Sequence, residues 1–300
     1  MLPFEQWMTQ QLLQVEQALQ AWVPAHAPAQ LGVAMRYAVL DGGKRLRPML
    51  VLAARQAVSG DVADPVWDQA AMRAACAIEL IHAYSLVHDD MPCMDNDVLR
   101  RGKPTVHVQF GQAQALLAGD ALQALAFEVL TPVDSDMPDA LQGVLCRILS
   151  RAAGHSGMAG GQAVDLASVG VPLTETDLRR MHRMKTGALL EASVQLGAQC
   201  GQASATALQA LSDYAQFLGV AFQVIDDVLD VTSDAATLGK TAGKDAANDK
   251  PTYVSLMGLQ AAQQHAHDLL DQALQALHAS GLSHTERLAD LARMVVTRNH

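Results

Sequence analysis

Two aspartate-rich stretches, Asp89-Asp90-Met91-Pro92-Cys93-Met94-Asp95-Asn96-Asp97 and Asp226-Asp227-Val228-Leu229-Asp230, each close a long apolar helical pattern. A solvent-seeking carboxylate has no packing reason to end a core helix, so the fold must compensate both clusters. Adjacent carboxylates repel one another, and hard divalent cations with oxygen ligands are the usual remedy. Any architecture for this chain must therefore carry two apolar helices to places where such charge can be met. Half of the 300 residues are hydrophobic, enough to bury a large core. Aromatics make up only 4% and Val/Ile/Thr runs are scarce, which argues against sheet. Ala, Leu, Gln and Met favour helix throughout, and the chain is expected to be all-α.

Pro and Gly divide the sequence into helical patterns over residues 4–22, 29–40, 47–59, 65–91, 105–117, 119–131, 137–157, 174–202, 205–230, 252–279 and 283–297. The pattern 65–91 should stop at Met91, because Pro92 disfavours the α region for its predecessor. A break is expected near Gly187, while Gly42-Gly43, Gly160-Gly161 and the run 238–245 read as loops or helix breaks. There is no Ser/Gly-rich linker, charge block or short-period repeat, so residues 1–300 read as one domain.

A net charge of −10 excludes the basic footprint that a nucleic-acid partner would need. An acidic protein still binds anions where metal ions invert the local charge. Cys76, Cys93, Cys146 and Cys200 lack CxxC spacing, so neither zinc nor a disulfide framework is indicated. The N-terminal residues show no basic and apolar leader, and no stretch of eighteen apolar residues occurs. The expectation is a reduced, cytoplasmic protein that is not integral to a membrane.

Within the second cluster Asp226 and Asp230 are four apart and share a helical face, whereas Asp227 points elsewhere and supports from behind. In the first, Asp89 and Asp95 are six apart, a spacing that a straight helix does not align, and Pro92 supplies the turn that folds Asp95 back. A lone cluster would read equally well as a solvated helix end; two at the ends of apolar helices would not. Basic sets accompany them: Lys44, Arg45 and Arg47 in a Gly-rich bend that opens a helix, Arg100, Arg101 and Lys103 after the first cluster, and Lys240, Lys244 and Lys250 after the second. Mg²⁺ keeps most of its waters, takes one or two carboxylates and completes its shell with substrate phosphates. The pattern therefore reads as a Mg²⁺ clamp on a diphosphate. His82 lies two turns before Asp89 on the same face, though a histidine in an apolar helix is more often a core residue. Lys185-Thr186-Gly187 joins a cation, a hydroxyl and a helix-weakening glycine, and Gln223 shares the Asp226 face.

The runs GGKRLRP (42–48), IHAYSLVHDD (81–90), DVLRRG (97–102), GGQAVDL (160–166), KTG (185–187), FQVIDDVLD (222–230) and GKTAGKD (239–245) occur in this order. Together they resemble the trans-isoprenyl diphosphate synthases, and most of all the short-chain bacterial farnesyl diphosphate class. The resemblance implies a large bundle of antiparallel helices around a deep central cavity (the isoprenoid synthase fold), with both Asp motifs at its mouth, and a homodimer. It implies Mg²⁺ as cofactor, with isopentenyl diphosphate and an allylic diphosphate as the bound partners. Asp89, Asp95 and Asp226 would ligate the metal, with Asp90, Asp227 and Asp230 in support. Arg100, Lys185, Lys240 and Lys250 would hold the allylic diphosphate, and Lys44, Arg47, His82 and Arg101 the isopentenyl one. Thr186, Gln223 and the Lys185 carbonyl would direct oxygens at the allylic cation.

Product length in this family depends on what closes the cavity below the first Asp motif. Tyr84 and Ser85 stand five and four residues before Asp89, and the aromatic implies a C15 product. Helical spacing alone puts Ser85 nearer the Asp89 face and Tyr84 about a third of a turn away, so simple interhelical packing is the other reading of Tyr84. A C10 or C20 product, or a catalytically silent partner subunit, are the alternatives; silent subunits tend to lose an Asp motif, and both are intact here.

Overall fold

A computed structural model of the chain describes residues 2–40, 42–60, 62–171, 173–232 and 252–298. Helices dominate: α1 Phe4–Trp22, α2 Leu31–Val39, α3 Leu46–Ser59, α4 Pro65–Asp89, α5 Val106–Phe110, α6 Gln112–Leu130, α7 Asp139–Ala153, α8 Met158–Ala167, α9 Glu175–His182, α10 Ala188–Cys200, α11 Ala205–Thr232, α12 Tyr253–Met257, α13 Leu259–Ala279 and α14 Glu286–Thr297. The strand content among the described residues is one short antiparallel pair, β1 Leu99–Arg100 with β2 Lys103–Pro104. The all-α expectation holds.

The described chain groups into two compact units, one of residues 1–52 and 62–146, the other of 53–61 and 147–300. In the first unit α4 is the central element. Asp64 caps it, its carboxylate accepting from the Val66 and Trp67 amides, and Pro65 occupies the first turn, where its missing N–H is harmless. Its buried alanines let α6 pack along its length, with α1 and α2 also against it. Helices α4 and α6 are both long and apolar enough to cross a membrane by composition, but most of the α4 window is buried inside the protein.

In the second unit α11 is central, packing on α10, α13 and α14. Val224, Val228, Ala262, Ala266 and Leu269 build a core between α11 and α13, with Tyr253 at its edge.

Several helix boundaries differ from the expected ones, and each difference has a local cause. The 65–91 helix ends at Asp89, because the chain turns before Pro92 is reached. The break expected near residue 118 falls at Gly111, whose φ of 88° ends α5. Gly119 instead lies inside α6. Gly160 and Gly161 are likewise not a loop but the middle of α8, which follows α7 after a turn at Gly157. Gly258, with φ 82°, separates α12 from α13 in what the sequence suggested was one helix. The interruption expected near Gly187 is a π-helical turn over Arg183–Gly187.

Candidate active site

In the first unit the chain leaves α4 at Asp89 and doubles back at once. The Asp95 amide donates to the Asp89 carbonyl at 2.8 Å, and the Met94 and Asn96 amides both donate to the Met91 carbonyl. This closed turn brings the two aspartates together, as their six-residue spacing and Pro92 suggested. Both remain half-buried. Asp90, by contrast, is buried and gripped by Arg100, whose Nε reaches its two oxygens at 3.0 and 2.8 Å while Nη2 reaches Oδ1 at 2.5 Å. Burial pushes the Asp90 carboxyl up and the Arg100 guanidinium works against it. The neighbour of Asp89 is thus an anchor for the β1–β2 hairpin.

That hairpin turns through Arg101 and Gly102, both with positive φ (53° and 75°), the conformation that two-residue hairpins require. The Tyr37 hydroxyl fixes the far strand by donating to the Pro104 carbonyl at 2.8 Å. The turn delivers the Arg101 guanidinium onto the Gly42-Gly43 bend, where it donates to the Gly42 carbonyl. A Cβ at Gly43 would stand 2.7 Å from Arg101 Nη1, so glycine makes room for the contact. In the same bend Arg45 turns inward. Its guanidinium reaches Glu16 at 2.7 Å, Glu79 at 2.8 Å and the Val39 carbonyl at 2.5 Å, all buried or half-buried. Arg45 is thereby a strut, while its neighbours Lys44 and Arg47 are exposed and half-buried.

His82 lies within this field of cations. Burial, followed by the charges of Arg47, Arg101, Arg100 and Arg45, holds its pKa well below the usual imidazole range. A neutral His82 among guanidiniums offers a hydrogen bond without adding charge. Tyr84 is buried, with burial raising its phenol pKa and Gln123 of α6 acting as hydrogen-bond partner to its hydroxyl. Ser85 turns its hydroxyl back to the His82 carbonyl at 2.8 Å. A small cavity of about 60 Å³ runs between Tyr37, Val87, Asp90, Arg100 and Arg101.

In the second unit the π turn is held between two helices through glycine contacts. A Cβ at Gly161 of α8 would lie 2.2 Å from the Lys185 amide nitrogen, and one at Gly219 of α11 would lie 3.1 Å from the Gly187 Cα. Backbone therefore meets backbone on both sides of Lys185-Thr186-Gly187. Widened π turns of this kind are frequent at functional sites. One turn beyond Gly219, the Gln223 side chain meets the segment: Thr186 Oγ1 donates to Gln223 Oε1 at 3.1 Å, and Gln223 Nε2 donates to Asp227 Oδ1 at 2.9 Å. Buried Asp227 also accepts from the Tyr253 amide at 2.8 Å, which ties α12 to α11. Asp230 is buried, and Asp226 is half-buried.

The structure brings to this cluster two residues that the sequence left unplaced. Asp165 of α8 accepts from Lys185 Nζ at 2.6 Å, an ion pair in which the carboxylate is almost wholly buried. Its only signal was its place in the GGQAVDL run. Arg298, just past α14, lies over the Phe222 ring at 4.0 Å, donates to the Phe222 carbonyl at 3.0 Å and pairs with Asp226. No local pattern could forecast a contact across 72 residues of sequence. His182 stacks on Tyr253 at 5.7 Å, with neither ring nitrogen hydrogen-bonded to a described residue; burial brings its pKa down to about 4. Lys240, Lys244 and Lys250 lie outside the described residues.

The donor set suits Mg²⁺ rather than a softer metal. Among the described residues no three His, Cys, Asp or Glu side chains stand close enough to cage an ion. Carboxylates from half-buried Asp89 and Asp95, or from Asp226, match an ion that completes its shell with water and substrate phosphate.

Residues 28–291 match the model of the polyprenyl synthetase family. The chain belongs to this family. It is 48% identical to the farnesyl diphosphate synthase of Escherichia coli (strain K12) over 273 residues, covering 88% of each chain. It is 44% identical to a geranylgeranyl pyrophosphate synthase large subunit of Arabidopsis thaliana over 95% of this chain and 77% of that one. Its structure is similar to the geranyltransferase of Helicobacter pylori complexed with magnesium and isoprenyl diphosphate, with a TM-score of 0.86 at 33% identity and 98% coverage of both chains. The chain is accordingly a prenyltransferase of the isoprenoid synthase fold.

Proposed function

We propose that this prenyltransferase condenses isopentenyl diphosphate head-to-tail with dimethylallyl or geranyl diphosphate and releases farnesyl diphosphate. The observation that carries this reading is the conjunction of two intact aspartate clusters, each with its cation set, and the match to the Escherichia coli enzyme. A single family model also runs through both compact units, which supports one functional domain over residues 1–300.

In this reading Asp89, Asp95 and Asp226 hold Mg²⁺, with Asp90, Asp227 and Asp230 fixing their surroundings. Bound magnesium supplies Lewis-acid neutralisation of the charge that builds on the leaving diphosphate. Lys185 adds a fixed ammonium for the allylic diphosphate, oriented by Asp165. Lys44, Arg47 and Arg101 hold isopentenyl diphosphate, and neutral His82 adds a hydrogen bond. The Thr186 hydroxyl spends its one proton on Gln223, which leaves its lone pairs for the allylic cation. Gln223 cannot flip its amide without losing Asp227, so its own oxygen stays on the Thr186 side. Such fixed dipoles stabilise a cation without reorganising when it forms. The proton lost after condensation goes to the departing diphosphate, since the sequence supplies no obvious separate general base.

Tyr84 closes the floor for a C15 chain. The protein acts as a soluble cytoplasmic homodimer. The test is incubation of purified protein with isopentenyl and dimethylallyl diphosphates plus Mg²⁺, with products separated by chain length. A dominant C15 diphosphate is expected; absence of any condensation would overturn the reading.

A further inference from the structure

The α4–α6 contact carries a feature that the proposed chemistry does not explain. Gly119 sits in the middle of α6, where glycine costs about 1 kcal/mol relative to alanine. An added Cβ there would stand 2.1 Å from His88 Nε2 and 2.5 Å from its Cδ2. The missing side chain is therefore the seat of the His88 ring. Once seated, His88 Nε2 lies 3.1 Å from the Leu116 carbonyl and 3.9 Å from Asp120 Oδ1. The other side of the ring meets Tyr84 edge-to-face, with centroids 5.8 Å apart at 76°. One turn further along each helix, the Tyr84 hydroxyl faces Gln123. Two successive turns of α4 thus grip two successive turns of α6, and the Tyr84 ring is fixed at both ends, by Gln123 at its hydroxyl and by His88 at its edge.

We propose that His88, seated on Gly119, is a specificity-determining positioning residue that holds Tyr84 as the floor and so sets product length. This rests on the reading of Tyr84 as the block to a C15 chain. His88 touches no reacting atom; it acts through the Tyr84 ring. Removing it takes away the contact at the ring edge and leaves the Gln123 contact at the hydroxyl, so the phenol tilts more readily under a growing hydrocarbon tail. Gly119→Ala reaches the same end by displacing the imidazole from its seat.

The experiment measures the C20 to C15 product ratio and total isopentenyl turnover for Tyr84→Ala, His88→Ala, Gly119→Ala and the Tyr84→Ala/His88→Ala double variant. His88→Ala is expected to raise the ratio about fivefold, the scale set by an edge-to-face pair. Gly119→Ala should move it the same way. The double variant should match Tyr84→Ala alone, because contacting residues that act as a unit are not additive. If Tyr84→Ala lengthens the product while His88→Ala leaves the ratio at the parental value, the inference falls and the C15 reading stands. If Tyr84→Ala itself changes nothing, the floor reading falls and takes this inference with it. Should Gly119→Ala not fold, His88→Ala and the double variant decide the matter.

Discussion

Replacing Asp165 with Asn probes a residue that bears on catalysis only through another. The carboxylate is buried and meets Lys185 Nζ at 2.6 Å, while the ammonium keeps 26% of its side-chain surface exposed. Asn preserves the volume and one acceptor oxygen, so the variant removes charge and leaves the packing. At an effective dielectric near 20, the gross attraction at this distance is about 6 kcal/mol, most of it offset by desolvation. A hydrogen bond to a charged group contributes about 1.5–3 kcal/mol net, and the neutral amide keeps part of that. Roughly 1.5 kcal/mol of positioning is then lost, or about tenfold in rate. Steady-state kinetics should show kcat/KM for the allylic diphosphate reduced about tenfold, with KM for isopentenyl diphosphate unchanged. In a Lys185→Gln background the same substitution should have little further effect, since its target is gone. An Asp165→Asn enzyme with parental kcat/KM would refute the claim that Asp165 orients Lys185.

Gly161→Ala places a methyl group 2.2 Å from the Lys185 amide nitrogen, against backbone that cannot swing away, and should cost about 2 kcal/mol in denaturant unfolding; an unchanged midpoint would show that α8 does not clamp the π turn. His182, with a folded pKa of about 4 against an unfolded value near 6.5, favours the neutral form when folded. Its stabilising contribution is therefore complete above pH 6.5 and is lost as pH falls towards 4, by about 3 kcal/mol in all. His182→Phe keeps the stack on Tyr253 and should lessen the acid sensitivity of unfolding across that window; identical pH profiles would contradict the assignment. Arg298→Gln removes a cation from Asp226, whose side chain is 41% exposed, so screening keeps the effect small. The Mg²⁺ concentration for half-maximal turnover should fall about threefold, and a rise would mean that Arg298 assists rather than competes.

The helices were legible because the apolar periodicity and the Pro and Gly interruptions are local signals. The turn at Pro92 was legible for the same reason, and the Asp95 to Asp89 hydrogen bond realises it. Glycine misled the reading in one consistent way. Gly119, Gly160 and Gly161 suggested chain breaks, yet they lie inside helices, and Gly119 and Gly161 serve close approach to His88 and to Lys185. A sequence shows the missing side chain but not the neighbour that needs the space. For the charged residues, local spacing grouped Arg45 and Arg100 with their basic neighbours and left Asp90 in support of Asp89, and the fold engages all three in internal ion pairs. Asp165 and Arg298 could not be placed because their partners are distant in sequence.

The most direct test of the account is calorimetric binding of an unreactive allylic thiolodiphosphate in the presence of Mg²⁺, to the parent enzyme and to Asp89→Asn and Asp226→Asn. If carboxylates from both clusters act on one metal-bound diphosphate, each substitution alone should weaken Mg²⁺-dependent binding at least tenfold, and chelation of the metal should abolish the difference between variant and parent. Parental affinity in either variant, with the metal present, would contradict the central claim.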